Sequence, residues 1–245
     1  MTDLAACFVG SVPVREVSVR ISAIVAALHN DYGERDLGNR PDPIEELIYI
    51  SLTRQTHYQN ARRSWDAVLR AGGPEALVDM PEKQIAAMLQ PGGFSRQKAR
   101  WIKESLETIR ERMGALCLVG TALWSDDEVE QFLRSLPGLG IKSAKCIMLY
   151  SIGRKVLPVD THVRRLATRI GLVRARISEQ RIHRELEALV PADDRFAFHV
   201  NSIWHGRAVC TALRPRCNDC VLRPHCDVGR SSQPPRLQRD ARFPA

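Results

Sequence analysis

Apolar residues recur along this chain at intervals of three and four, and no segment shows a convincing two-residue alternation. That regularity constrains the fold more than any other feature, because it gives helix after helix one core-facing stripe and leaves no material for a sheet. Ile21, Ile24, Val25 and Leu28 form such a stripe on an N-terminal helix. Pro41-Asp42-Pro43 stops and restarts the chain, and Ile44, Leu47, Ile48 and Leu52 line the helix that follows. The pattern predicts further helices over about 57–71, 82–89, 95–113, 126–135, 141–152, 161–170, 178–190 and 195–209. Ser125 with Glu128 spells a capping box, and Pro81 suits a first helical position. The expectation is an all-α protein, and 245 residues suffice for one large or two small domains.

Lys plus Arg outnumber Asp plus Glu by 36 to 28, a formal net charge of +8 with a pI near 9.4. The charge is clustered. Between Gly153 and Arg176 stand seven basic residues (Arg154, Lys155, Arg164, Arg165, Arg169, Arg174, Arg176) and one acid, Asp160. Phosphate neutralisation supplies most non-specific nucleic-acid affinity, so a polyanion is the partner to expect. No apolar run approaches the ~20 residues of a membrane span. The N-terminal apolar stretch is too short for a secretory signal, which implies a cytoplasmic protein, or a nuclear one in a eukaryote. After Gly229 the chain carries prolines and arginines but no core-forming pattern, and reads as a flexible basic tail over 227–245.

The run Leu136 to Arg165, LPGLGIKSAKCIMLYSIGRKVLPVDTHVRR, holds the densest chemistry. Gly138, Leu139 and Gly140 make a tight turn between two helices, and amides at such a turn and at a helix start bind phosphate without reading sequence. Lys142 follows in the first helical turn, with Lys145 behind it. Lys142 is a candidate nucleophile if its amine is desolvated, and otherwise a phosphate-contacting cation. Asp160, eighteen residues on, sits where a helix N-cap belongs; a carboxylate fixed there stays aimed and ionised, suited to stabilising a developing sugar cation.

Seven cysteines are present, four of them crowded as Cys210-x6-Cys217-x2-Cys220-x5-Cys226. In a reducing compartment such crowding suggests metal ligation before disulfides. Four thiolates hold either zinc or an iron–sulfur cluster; paired C-x2-C knuckles, the commoner zinc signature, are not repeated here. Arg214 and Arg216 flank Pro215 in a small basic loop suited to a phosphate. Cys7, Cys117 and Cys146 read as bystander thiols.

LPGLGIKSAK followed by VDTHVRRLATRIGLV resembles the helix-hairpin-helix and catalytic-aspartate region of the endonuclease III family of DNA glycosylases. The resemblance covers roughly residues 36 to 226. It implies Lys142 as nucleophile and Asp160 as its partner, and AP-lyase activity, since the superfamily's adenine glycosylases usually lack that lysine. The cysteine spacing is similar to the family's [4Fe–4S] loop, and Trp204-His205-Gly206-Arg207 resembles the His-Gly-Arg before its first ligand. It further implies that Gln55 fills the gap left by an extruded nucleotide. Phe94 stands at the position of an apolar wedge, with a core aromatic as the alternative. Arg54, His57 and Tyr58 depart from the family's usual residues, which bears on substrate preference more than on reaction type.

The expected architecture is therefore two helical subdomains flanking a DNA-binding cleft: a helical barrel of 36–154 and a cluster-bearing domain of 1–35 with 155–226. The resemblance implies a monomeric base-excision enzyme that binds duplex DNA through Gly138, Leu139, Gly140, Lys145, Arg164, Arg214 and Arg216, with Gln55 and Phe94 at the lesion. It would remove an oxidised pyrimidine and nick the abasic site by β-elimination. The alternatives are a mismatch glycosylase acting on thymine or uracil opposite guanine, a weak AP lyase, or a non-catalytic iron–sulfur DNA-binding module.

Overall fold

The computed structural model describes residues 8, 9 and 12–231. Among these the fold is helical throughout, apart from a two-residue antiparallel pairing of Phe8–Val9 (β1) with Val12–Pro13 (β2). The helices are α1 (Val14–Tyr32), α2 (Pro43–Thr53), α3 (Tyr58–Arg70), α4 (Gly73–Asp79), α5 (Glu82–Met88), α6 (Ser95–Met113), α7 (Asp126–Ser135), α8 (Ile141–Tyr150), α9 (Thr161–Ile170), α10 (Glu179–Leu189), α11 (Arg195–Ala208) and α12 (Asp227–Arg230). Contacts group them into two units. One is Gly38–Arg154; the other joins the chain up to Leu37 with the chain from Lys155.

Local chemistry sets most boundaries. Asp42 accepts bonds from Ile44 N and Glu45 N, each at 2.9 Å, and Pro43 opens α2. The capping box of α7 is complete: Ser125 N donates to Glu128 Oε2 (2.7 Å), and Glu128 N donates to Ser125 Oγ (3.3 Å). Pro81 is the N-cap of α5 rather than its first residue, one position earlier than expected. Helix α4 had no expectation at all. Gly72 caps it and Gly73 opens it, both at positive φ (106° and 75°), with Pro74 second, so seven helical residues hide behind what reads as a break.

In the Gly38–Arg154 unit, Leu47 and Ile48 of α2, Val68 of α3, Ile102 and Leu106 of α6, and Ile147 of α8 are fully buried. In the other unit the stripe Ile21, Ile24, Val25 and Leu28 packs with Val163, Leu166, Ile170, Ile182, Leu186 and Phe198. Burying a side chain of this size stabilises by about 1.5–3 kcal/mol before entropy is counted. The expected tail begins ordered: Asp227–Arg230 form α12, and Arg20 bonds His225 O and Asp227 Oδ1, each at 2.8 Å. The rest of that tail, and Cys7, lie outside the described residues.

Candidate active site

Within the first unit, α7 leads through Leu136–Gly140 into α8. Gly138 is required there twice over: its φ is 77°, and a Cβ would lie 2.6 Å from the Trp101 ring. Arg54 completes the brace, its guanidinium 5.0 Å from the Trp101 ring centroid and bonded to Gly138 O. Leu139 is buried, while Gly140 is exposed and caps α8 in extended conformation.

Lys142 is the second residue of α8 and half-buried. A helix start carries positive potential and disfavours an ammonium. The charge of Lys142 also acts on Glu46, a fully buried carboxylate that accepts bonds from Asn39 Nδ2 and from Arg40 N at 2.7 Å. Burial pushes the Glu46 carboxyl above its ordinary range; the bonds from Arg40 and Asn39, then Lys142, pull it back. Glu46 carried no expectation, because it sits inside an apolar run where nothing separates it from a surface acid. Lys145, expected at a phosphate, is 6 % exposed, and its Nζ pairs with Glu130 Oε2 at 3.1 Å, so part of its charge is met inside the unit.

In the second unit, Asp160 caps α9, Oδ1 accepting from Val163 N at 2.8 Å. The run before it, Val156–Val159, is buried, and side chains bond its backbone. Leu157 N donates to Glu187 Oε1 (2.7 Å), Val159 N to His183 Nε2 (3.0 Å), and His199 Nδ1 to Pro158 O (2.8 Å). His183 Nδ1 faces Glu179 O at 2.8 Å, which assigns the proton to Nδ1 and leaves Nε2 as acceptor. None of these three side chains carried an expectation, since each works from a helix distant in sequence. Arg164 is half-buried and bonds Ile177 O at 3.1 Å. Lys142 and Asp160 thus belong to different units, each held by its own surroundings.

Gln55 and Phe94 share an unusual property: they are the two non-glycine residues with positive φ among the described residues (48° and 49°). A non-glycine residue there costs on the order of 1–3 kcal/mol unless its surroundings enforce it. Phe94 is 61 % exposed, which excludes the core-aromatic alternative, and Gln55 is exposed too.

Cys210, Cys217, Cys220 and Cys226 line one cavity with Leu166, Arg169, Val209 and Leu222, and none is in a disulfide. Burial raises the Cys220 thiol to about 11, and the neighbouring cysteines push the same way; Cys226 is also raised. Arg169 is buried beside them, its Nη1 3.2 Å from Cys210 Sγ and 2.7 Å from Thr211 O. His205 Nε2 lies 3.4 Å from Cys220 Sγ, and Gly229 N donates to Cys226 Sγ at 3.3 Å. Arg214 and Arg216 are exposed on the same loop. No three His, Cys, Asp or Glu side chains among the described residues converge on a single metal ion.

Residues 50–192 match the family described as HhH-GPD superfamily base excision DNA repair protein. The chain is 31% identical over 195 residues to an "Endonuclease III" of Synechocystis sp., covering 78% of this chain and 83% of that one. It is 33% identical over 184 residues to an "Endonuclease III homolog" of Encephalitozoon cuniculi, covering 74% and 72%. Among solved structures it resembles a non-covalent endonuclease III–DNA complex, with a TM-score of 0.75 at 24% identity, over 87% of this chain and 96% of that one.

Proposed function

The chain belongs to the HhH-GPD superfamily of base excision DNA repair proteins and is a DNA glycosylase with AP-lyase activity; on that premise we propose that Lys142 is its nucleophile, Asp160 its electrostatic partner and an oxidised pyrimidine in duplex DNA its substrate. The observation that carries this reading is the placement of Lys142, half-buried in the first turn of the helix that the Gly138 turn opens. The positive potential of a helix start opposes an ammonium there.

The amine of Lys142 attacks the sugar C1′ as the glycosidic bond breaks, and the base leaves with the bonding pair and takes up a proton. Asp160 stabilises the positive charge that develops on the sugar. Loss of a proton from the amine and opening of the ring give a Schiff base, which acidifies the C2′ proton. Its removal expels the 3′ phosphate by β-elimination, and hydrolysis frees Lys142. The Gly138–Gly140 turn, Arg164, Arg214 and Arg216 supply contacts to the phosphate backbone, and Gln55 and Phe94 occupy the space vacated by the extruded nucleotide.

We further propose a [4Fe–4S] cluster on Cys210, Cys217, Cys220 and Cys226. The donor set fits it. Four thiols line one cavity, and burial opposes the thiolate forms of Cys220 and Cys226, which a cationic centre would favour. Held by these cysteines, the cluster would tie down the loop that bears Arg214 and Arg216. No helix of the described residues is long and apolar enough to cross a membrane. We place the protein with DNA, in the cytoplasm or a nucleus, acting as a monomer.

The test is a panel of duplexes, each with one lesion, incubated with the cluster-loaded protein. Base release and a nick 3′ to a thymine glycol are expected. Processing confined to thymine or uracil opposite guanine would overturn the substrate, and binding without any release would overturn the enzyme assignment.

A further inference from the structure

Lys98 is among the largest fully buried side chains of the described residues, 2 % exposed, in the first turn of α6. An ammonium has three protons to donate. Those of Lys98 go to Leu52 O (2.9 Å), Gly92 O (3.1 Å) and Thr56 Oγ1. All three acceptors are neutral, which is a costly way to bury a charge: a methionine would fill the same space without desolvating a cation. The amine is therefore there for the groups it holds.

Those groups belong to two loops. Leu52 and Thr56 bracket Gln55, and Gly92 lies two residues before Phe94. Thr56 Oγ1 is also 2.5 Å from Gly92 O, so the loops touch directly as well as through Lys98. A Cβ on Gly92 would meet Ser64 Oγ at 3.1 Å and both Lys98 Nζ and Thr56 Cγ2 at 3.8 Å, so the junction has little slack. Both loops carry the strained positive-φ residues, Gln55 and Phe94. Strain of this kind persists only where the surroundings over-determine the backbone, and the Lys98 tripod is such a constraint.

We propose that Lys98 is a positioning residue that holds Gln55 and Phe94 in their strained conformations at fixed separation, and thereby governs base extrusion rather than cutting at an abasic site. The inference rests on the reading of Gln55 and Phe94 as the residues that replace the extruded nucleotide. An abasic nucleotide has no base to extrude, so its cleavage depends less on this geometry. A misplacement near 1 Å at such loops costs on the order of 100-fold in rate.

The experiment compares cluster-loaded, full-length wild type with Lys98→Met, Thr56→Val, Gln55→Ala and Phe94→Ala. Single-turnover base release from a thymine-glycol duplex is divided by nicking of a preformed abasic duplex. The ratio is expected to fall by roughly 30- to 100-fold in Lys98→Met and by a smaller factor in Thr56→Val, in the same direction as Gln55→Ala and Phe94→Ala. A merely structural lysine would lower both activities together and leave the ratio at the wild-type value, which overturns the inference. If Lys98→Met does not fold, Thr56→Val decides: it keeps every buried carbonyl and removes one leg of the tripod, and an unchanged ratio overturns the inference. If the Gln55 and Phe94 variants keep the wild-type ratio, the reading of the two loops fails and the inference with it. If they lose it while Lys98→Met does not, the inference alone fails.

Discussion

Asp160 starts a helix from an N-cap position, on a run whose buried backbone is met by Glu187, His183 and His199. Its conformation is ordinary, and the aspartate stabilises the fold while it serves the chemistry. Gln55 and Phe94 are built the opposite way. Each has a backbone conformation that its residue type disfavours, each is exposed, and a buried lysine with neutral partners ties their loops together. The comparison teaches that the groups for breaking the sugar bond rest in low-energy local structure, whereas the groups that meet the lesion are held against local preference by tertiary contacts. Substitutions in the first region should therefore lower rate without much change in stability, and substitutions in the second should move both, sometimes in opposite directions.

The largest expected effect is at Asp160. Asparagine caps a helix about as well as aspartate, so Asp160→Asn should leave the denaturation midpoint nearly unchanged, within about 0.5 kcal/mol. Base release should fall about 100- to 1000-fold, because the charge facing the developing cation is gone. A variant that unfolds as easily as it loses activity would break the contrast between the regions. Gly138→Ala comes next. It forces a side chain into the Trp101 ring at positive φ, and should destabilise by about 2–4 kcal/mol in urea titrations with weakened DNA binding.

Phe94→Gly sharpens the comparison from the other side. Relieving the positive φ should raise stability by about 1 kcal/mol while base release falls, and a loss of stability would show that Phe94 is not strained. The smallest effect is on pH dependence. Burial, then the charge of Arg54, pulls Lys98 down to about 8 from the ordinary lysine value of 10.5. The folded chain then holds this proton less tightly than the unfolded chain, so the group's contribution to stability rises with pH between those two values. The tripod needs the ammonium, so base release relative to abasic nicking should decline as pH rises through about 8. In Lys98→Met that decline should vanish; its persistence there would assign it to another group.

The helices and the chemical core were legible because their signals are local. The apolar stripes, the Ser125 capping box and the positions of Gly138, Lys142 and Asp160 all lie within a few residues of what they do. Helix α4 was not legible, since Gly72-Gly73-Pro74 looks like an ending when it is a beginning. The pairing of Lys145 was not legible either, because a lysine after a glycine turn gives no sign that Glu130 stands beside it. Glu46, Lys98, His183 and Glu187 went unseen for one reason: each acquires its role from backbone groups brought near only by folding. Lys98 in particular stands among Arg96, Gln97 and Arg100 and reads as one more solvated cation.

The central claim, that Lys142 forms a covalent bond to the sugar, is tested by borohydride reduction during reaction with an abasic or thymine-glycol duplex. Wild type should give a trapped protein–DNA adduct whose modified peptide contains Lys142, and Lys142→Gln should give none while still binding the duplex. Trapping of Lys142→Gln at the wild-type level would contradict the account.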